Sequence, residues 1–209
     1  RHALGVIRML AEKDLGLDLA ALLHAAAEPF GNLIAPDRTA LVDTLQDFFF
    51  DRLAASLRDQ GYSAQEADAV LALRPQRLGE VAKRLAAVRA FADLPEAPAL
   101  AAANKRIGNI LKKTQDVDAH VSPVLLQEAA EKALFAAMQE TAPQANAQFD
   151  RGNYTASLKT LAVLRAPVDA FFDDVMVNAE QLDLRLNRLG LLKSLHEAMN
   201  RVADLSRLA

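Results

Sequence analysis

Residues 40–60 read ALVDTLQDFFFDRLAASLRDQ, and this stretch decides the fold class. Leu41, Leu45, Phe48, Phe49, Leu53 and Leu57 recur at steps of three and four, which places them on one face of a helix. Gly61 stops that helix, because glycine takes the left-handed backbone that ends one. Ser63, with Glu66 three residues on, then has the spacing of a capping box. Working outward, the same periodicity predicts helices over about 3–13, 17–28 and 39–60, and a short one from Ser63 towards Pro75. Further helices are predicted up to about Phe91 and over 99–113. Ser122-Pro123 is read as the start of a long helix that ends near Ala142-Pro143, with another helical stretch to Phe149. Beyond the Gly152-Asn153 turn, helices are expected over 154–164, 167–177 and 182–208. No stretch alternates like a strand bounded by hairpin turns. The class is all-α, a multi-helix bundle of antiparallel helices joined by short loops.

Composition narrows the chemistry. Leu and Ala dominate, and neither resists helix. Cysteine is absent, which excludes disulfides, thiolate metal sites and a cysteine nucleophile, and fits a reducing compartment such as the cytoplasm. No apolar run approaches the ~18 residues of a membrane helix, so no membrane partner is expected. The chain opens on Arg1 and runs directly into the helical ALGVIRMLAEK of residues 3–13, so it is read as a piece of a longer polypeptide. Pro29, Gly31, Asn32 and Pro36 form a breaker cluster. It divides an expected tail of a preceding region, residues 1–36, from a helical domain, residues 37–209.

The formal net charge of -3 argues against indiscriminate nucleic-acid binding. Its distribution is uneven. Residues 74–113 hold nine basic and three acidic side chains, and residues 168–183 hold five acids and no base. Within the basic stretch, AANKRIGNILKK (102–113) sets Lys105, Asn109, Lys112 and Lys113 on one side of a helix, with Asn104 and Arg106 beside them. Cations anchor phosphates and amides meet base edges, so this face fits RNA; a solvated charged face fits the pattern equally. Few aromatics lie nearby in sequence to stack on bases. Arg185 and Arg188 open the last helix, where they suit either phosphate or ion pairs with the preceding acidic turn. The acids Asp169, Asp173, Asp174, Glu180 and Asp183 suggest Mg²⁺ or acid/base work, but helix-dipole and surface roles account for them better. His2, His24, His120 and His196 show no metal-ligand spacing. Neither a phosphate-cradling glycine loop nor a nucleophile elbow occurs. No catalytic, cofactor or metal residue is assigned.

PVDAFFDDVMVNAEQLDLRLNRLGLLKSL (167–195) resembles a segment of bacterial glycyl-tRNA synthetase beta subunits, whose pattern is approximately PVDxFFDxVMVxxxDxxLRxNRLxLL. Gln181 stands near the expected acid, with Asp183 displaced. LAAANKRIGNILKK (100–113) and FFFDRLAASLRDQGYSAQEADAVLALRP (48–75) resemble the same family. LDLRLNRLGLL (182–192) is similar to the motif behind the DALR anticodon-binding domain shared with arginyl-tRNA synthetases, with Leu184 where that name has Ala. Residues 1 to about 36 resemble the end of the HD-like region that precedes this domain. The resemblance implies a helical bundle that engages the anticodon arm of tRNA(Gly). It also implies a heterotetramer with an alpha subunit that uses ATP, so the chain would be part of a glycine–tRNA ligase without a catalytic centre of its own. The tRNA-binding residues it points to are Asn104, Lys105, Arg106, Asn109, Lys112, Lys113, Arg185 and Arg188. The rival expectation is a helical interaction module that docks the alpha subunit without touching RNA.

Overall fold

The computed structural model describes residues 2–34, 37–114 and 117–209, and every regular element among them is helical. They form α1 (His2–Glu12), α2 (Leu19–Ala27), α3 (Arg38–Asp59), α4 (Ala64–Leu71) and α5 (Glu80–Ala92). Then come α6 (Ala97–Lys112), α7 (Ala129–Asp150), α8 (Tyr154–Leu161), α9 (Arg165–Asp174) and α10 (Leu182–Met199). The chain divides into two compact units, Arg1–Leu85 and Ala86–Ala209, the division falling within α5.

In the first unit α3 is the hub, with α1, α2 and α4 packed on it. It buries Val42, Gln46, Phe49, Phe50, Leu53 and Leu57. The inward face is thus turned slightly from the expected stripe: Phe48 is exposed and Phe50 takes its place inside. Burying Gln46 requires a partner. Gln76 supplies it, its Nε2 donating to Gln46 Oε1 at 3.0 Å. Gln76 also serves the start of α2: its carbonyl accepts from Leu19 N at 3.0 Å and its Oε1 from Ala20 N at 3.1 Å. The Ser63–Glu66 capping box forms as expected. α1 and α2, on the N-terminal side of the division expected at residue 36, are held by α3 and Gln76. Gly31 makes a turn with φ 53°, while Pro36 and the Asn32 side chain lie outside the described residues.

In the second unit α10 is buried on all sides over Asn187–Leu192, as the middle of a central helix must be. α6 and α7 pack on it, and α9 packs on both α6 and α7. Three sequence expectations change here. Ser122-Pro123 opens only a 3₁₀ turn (Pro123–Leu125), and α7 starts at Ala129 behind the capping residues Glu128 and Glu131. α7 does not stop at Pro143 but carries it internally, with Met138, Thr141 and Ala145 buried on either side. Tertiary burial there outweighs the ~3 kcal/mol that an interior proline costs. α10 ends at Met199 rather than near Leu208, because Asn200 takes over the next turns. Its Nδ2 donates to His196 O at 2.7 Å and its Oδ1 accepts from Leu205 N at 3.0 Å. A final 3₁₀ turn, Leu205–Leu208, packs against α6.

The segment 117–122 is laced onto α10. Lys193 Nζ donates to Val117 O at 2.7 Å and Ser194 Oγ to Ala119 O at 2.9 Å. Asn187 closes a two-way bond with Ser122, accepting at 2.7 Å and donating at 3.2 Å. The close approach depends on Gly190, since a Cβ there would run into the His120 carbonyl. Gly190→Ala is therefore expected to destabilise by about 1–3 kcal/mol. Gly108→Ala, whose Cβ would meet only His196 Nε2 at 3.5 Å, is expected to be neutral or stabilising by up to ~1 kcal/mol. Urea midpoints of the two variants at unchanged slope test this contrast.

Candidate nucleic-acid interface

α6 presents two chemically different sides. Ala97, Leu100, Ala101, Asn104 and Ile107 are buried. Lys105, Arg106, Asn109, Lys112 and Lys113 are exposed. The connection between α9 and α10 and the first turn of α10 face that outer side, adding Asn178 and Arg185. Lys105, Arg106, Asn109, Lys113, Asn178 and Arg185 line one open groove of about 930 Å³. Lys112 opens instead onto an adjoining groove of about 680 Å³, shared with Lys105, His196 and Arg207. Lys105 Nζ donates to the Ala209 carbonyl at 3.3 Å. Among the described residues, none of Lys105, Arg106, Lys112 and Lys113 is paired with a carboxylate. Their charge is available to a ligand.

Two of the expected contact residues point the other way. Asn104 is fully buried and exchanges both amide bonds with Asn200, Nδ2 donating at 2.8 Å and Oδ1 accepting at 3.0 Å. Arg188 is 5% exposed and Glu131 0%. Arg188 Nε pairs with Glu131 Oε1, and its Nη1 donates to Met176 O at 2.8 Å. A side chain consumed in this way cannot reach RNA, so Asn104 and Arg188 are structural. Glu131 has a second role, its Oε2 accepting from Gln127 N and Glu128 N, both at 2.8 Å. Burial alone would raise the Glu131 pKa, but the bonds from Arg188, Glu128 and Gln127 hold it below the ordinary carboxylate value.

The α9–α10 connection is therefore tied from beneath. Arg188 holds the Met176 carbonyl and Arg185 Nη1 donates to Ala179 O at 3.3 Å. Val175 and Val177 are buried, whereas Met176 and Asn178 project outward. The ion pairs expected between these arginines and the acidic turn do not form. Asp169 pairs with Arg165 at 3.4 Å, and Arg188 finds its acid on α7. Among the described residues no group of three or more His, Cys, Asp or Glu could hold a metal.

Residues 1–72 match the family model described as glycyl-tRNA synthetase beta subunit, and residues 100–205 that of the DALR anticodon binding domain. The chain belongs to the glycyl-tRNA synthetase beta subunit family and carries its DALR domain. Glycine–tRNA ligase beta subunits of Paracidovorax citrulli and Polaromonas naphthalenivorans are 74% and 73% identical over all 209 residues. That of Delftia acidovorans is 67% identical over an alignment of 210 residues. The chain spans 29% of the length of each of these relatives.

Within the DALR domain the fold adds residues the sequence did not single out. Phe172 of α9 lies under the Arg106 guanidinium, 4.1 Å from its ring centroid. An aromatic distant in sequence thus reaches the basic helix. Asn178 carries no local signal and joins the groove only through the packing of its connection. His196 is half-buried; burial pushes its pKa down and Lys112 adds to this, partly offset by Asp204 and Glu197. It therefore lends the adjoining groove polarity rather than charge at neutral pH.

The Glu131–Arg188 pair yields two expectations. Arg188→Met leaves a buried carboxylate unpaired and should cost about 3–5 kcal/mol, whereas Arg188→Met with Glu131→Leu should cost markedly less than the sum of the two changes. A double-mutant cycle in urea measures this. Because the folded pKa of Glu131 is lowered, its contribution is present above the ordinary carboxylate range and lost as pH falls through the lowered value. The acid limb of the stability–pH profile should therefore flatten in Glu131→Gln.

Proposed function

We propose that this chain is the tRNA-binding end of a glycyl-tRNA synthetase beta subunit, holding the anticodon arm of tRNA(Gly) in the groove between α6 and the start of α10. The observation that carries the reading is the convergence of Lys105, Arg106 and Lys113, none paired with a carboxylate among the described residues, with Asn109, Asn178 and Arg185 around one opening of the DALR domain. Lysines there anchor phosphates and set the register of the loop, and amides and guanidiniums are placed to meet base edges. No bond is made or broken in this region. Glycyl-tRNA formation would occur in an assembly with an alpha subunit that handles ATP and glycine, in the cytoplasm. No helix among the described residues is long and apolar enough to cross a membrane.

A protein-docking role is favoured by a separate observation on the first unit alone. Phe30 is 54% exposed and Leu33 90%, with Met9 and Leu17 also outward. Exposed apolar side chains suit a protein partner better than RNA.

The test is tRNA(Gly) binding by the full-length subunit across a salt series. Lys105→Ala and Lys113→Ala should each weaken binding and lower the salt slope by about 1, the value for one lost phosphate contact. An anticodon-swapped tRNA should bind less well than tRNA(Gly) at every salt concentration. Equal binding of the two RNAs, or an unchanged slope in both variants, would overturn the reading.

A further inference from the structure

Beside the basic groove lies a recess of about 480 Å³ whose lining includes Arg106, Phe172, Asp173, Asp174 and Met176. It shares Arg106, Ile110 and Asn178 with the groove, so the two are continuous. Its volume falls within the ~300–1,000 Å³ of small-ligand clefts. The two openings differ in chemistry. The groove is cationic, while the recess combines an apolar lining, a guanidinium stacked on an aromatic ring, and two carboxylates. A strand whose phosphates lie along Lys105 and Lys113 can turn one unstacked base into it.

Asp173 and Asp174 have no structural task that explains them. They occupy the last turn of α9, where negative charge opposes the helix dipole. Both are exposed, and among the described residues neither forms an ion pair or a hydrogen bond. A carboxylate accepts and never donates. It therefore favours a base edge carrying an amino group and repels one presenting only carbonyl oxygen.

We infer that this recess is a base-reading subsite that takes one splayed nucleobase of a single-stranded loop, stacked beside Arg106 and Phe172, and selects for an exocyclic amino group through Asp173 and Asp174. The inference rests on the RNA-binding reading of the adjoining groove. Guanidinium planes and aromatics stack bases of any identity. The carboxylates add the discrimination that the lysines cannot supply. Met176, 71% exposed, offers an apolar edge at the rim.

The experiment uses the full-length beta subunit and tRNA(Gly) transcripts with single deamino replacements along the anticodon loop. These are cytidine to uridine, guanosine to inosine, and adenosine to purine riboside. In the unmodified protein one replacement should weaken binding about tenfold, the scale of one well-placed base contact. In Asp173→Asn with Asp174→Asn, whose amides both donate and accept, that penalty should fall below ~twofold, with affinity for unmodified tRNA changed far less. Lys105→Ala with Lys113→Ala should instead weaken all the transcripts alike. If the lysine variant binds as the parent does, the groove reading fails. If the lysine variant weakens binding while the penalty persists in the Asn variant, only the recess is refuted. Since the side chains of Asp173 and Asp174 bond to nothing among the described residues, the Asn variant should keep the parental circular dichroism. Independently of any variant, a parent protein that tolerates every deamino replacement within ~twofold also overturns the inference.

Discussion

The pairing of Arg188 with Glu131 is the constraint on which the second unit depends. One carboxylate caps the start of α7 through Gln127 N and Glu128 N and also receives the guanidinium of α10. The same guanidinium reaches the Met176 carbonyl on the α9–α10 connection. Three pieces of backbone are thus positioned by two side chains. Taking both charges out of water costs several kcal/mol per ion, and only full hydrogen bonding and mutual attraction offset it. Such a pair adds little to stability over an apolar replacement, but it fixes a geometry that apolar packing would leave looser.

That geometry separates the charges of the unit into two sets. Arg188 is spent inside, whereas Lys105, Arg106, Lys112 and Lys113 face outward without acidic partners. A net charge of -3 for the whole chain is therefore a poor guide to what the groove attracts. At physiological ionic strength, fields are screened over about 8 Å, so a phosphate meets the local cations and little else.

The helices themselves were legible in the sequence, because apolar steps of three and four, the Gly61 stop and the Ser63–Glu66 cap are local signals. The end of α10 was not, since Leu205 and the residues near it continue an apolar pattern that Asn200 interrupts by hydrogen bonding rather than by propensity. Pro143 misled for the opposite reason: its local cost is real, but burial on both sides carries α7 through it. The basic face of α6 was readable as a face, and Lys105, Arg106, Asn109, Lys113 and Arg185 do converge. Asn104 and Arg188 look like their neighbours in sequence. Only Asn200, just past the end of α10, and Glu131 on α7 reveal that they are interior. Phe172 and Asn178 join the site by long-range packing, for which a single sequence holds no cue.

The reciprocal amide pair of Asn104 and Asn200 has a consequence for how α6 is presented. Each residue advances a helix by about 100° of rotation. An isolated apolar stripe tolerates some slippage about the axis, but a buried amide bonded both ways to a second amide fits at one rotational phase and leaves unmet donors at any other. Asn104 therefore acts as an index mark, setting the angle at which Lys105, Asn109 and Lys113 emerge on the far side of the same helix. What the surface offers to a ligand is decided by a residue that no ligand can touch.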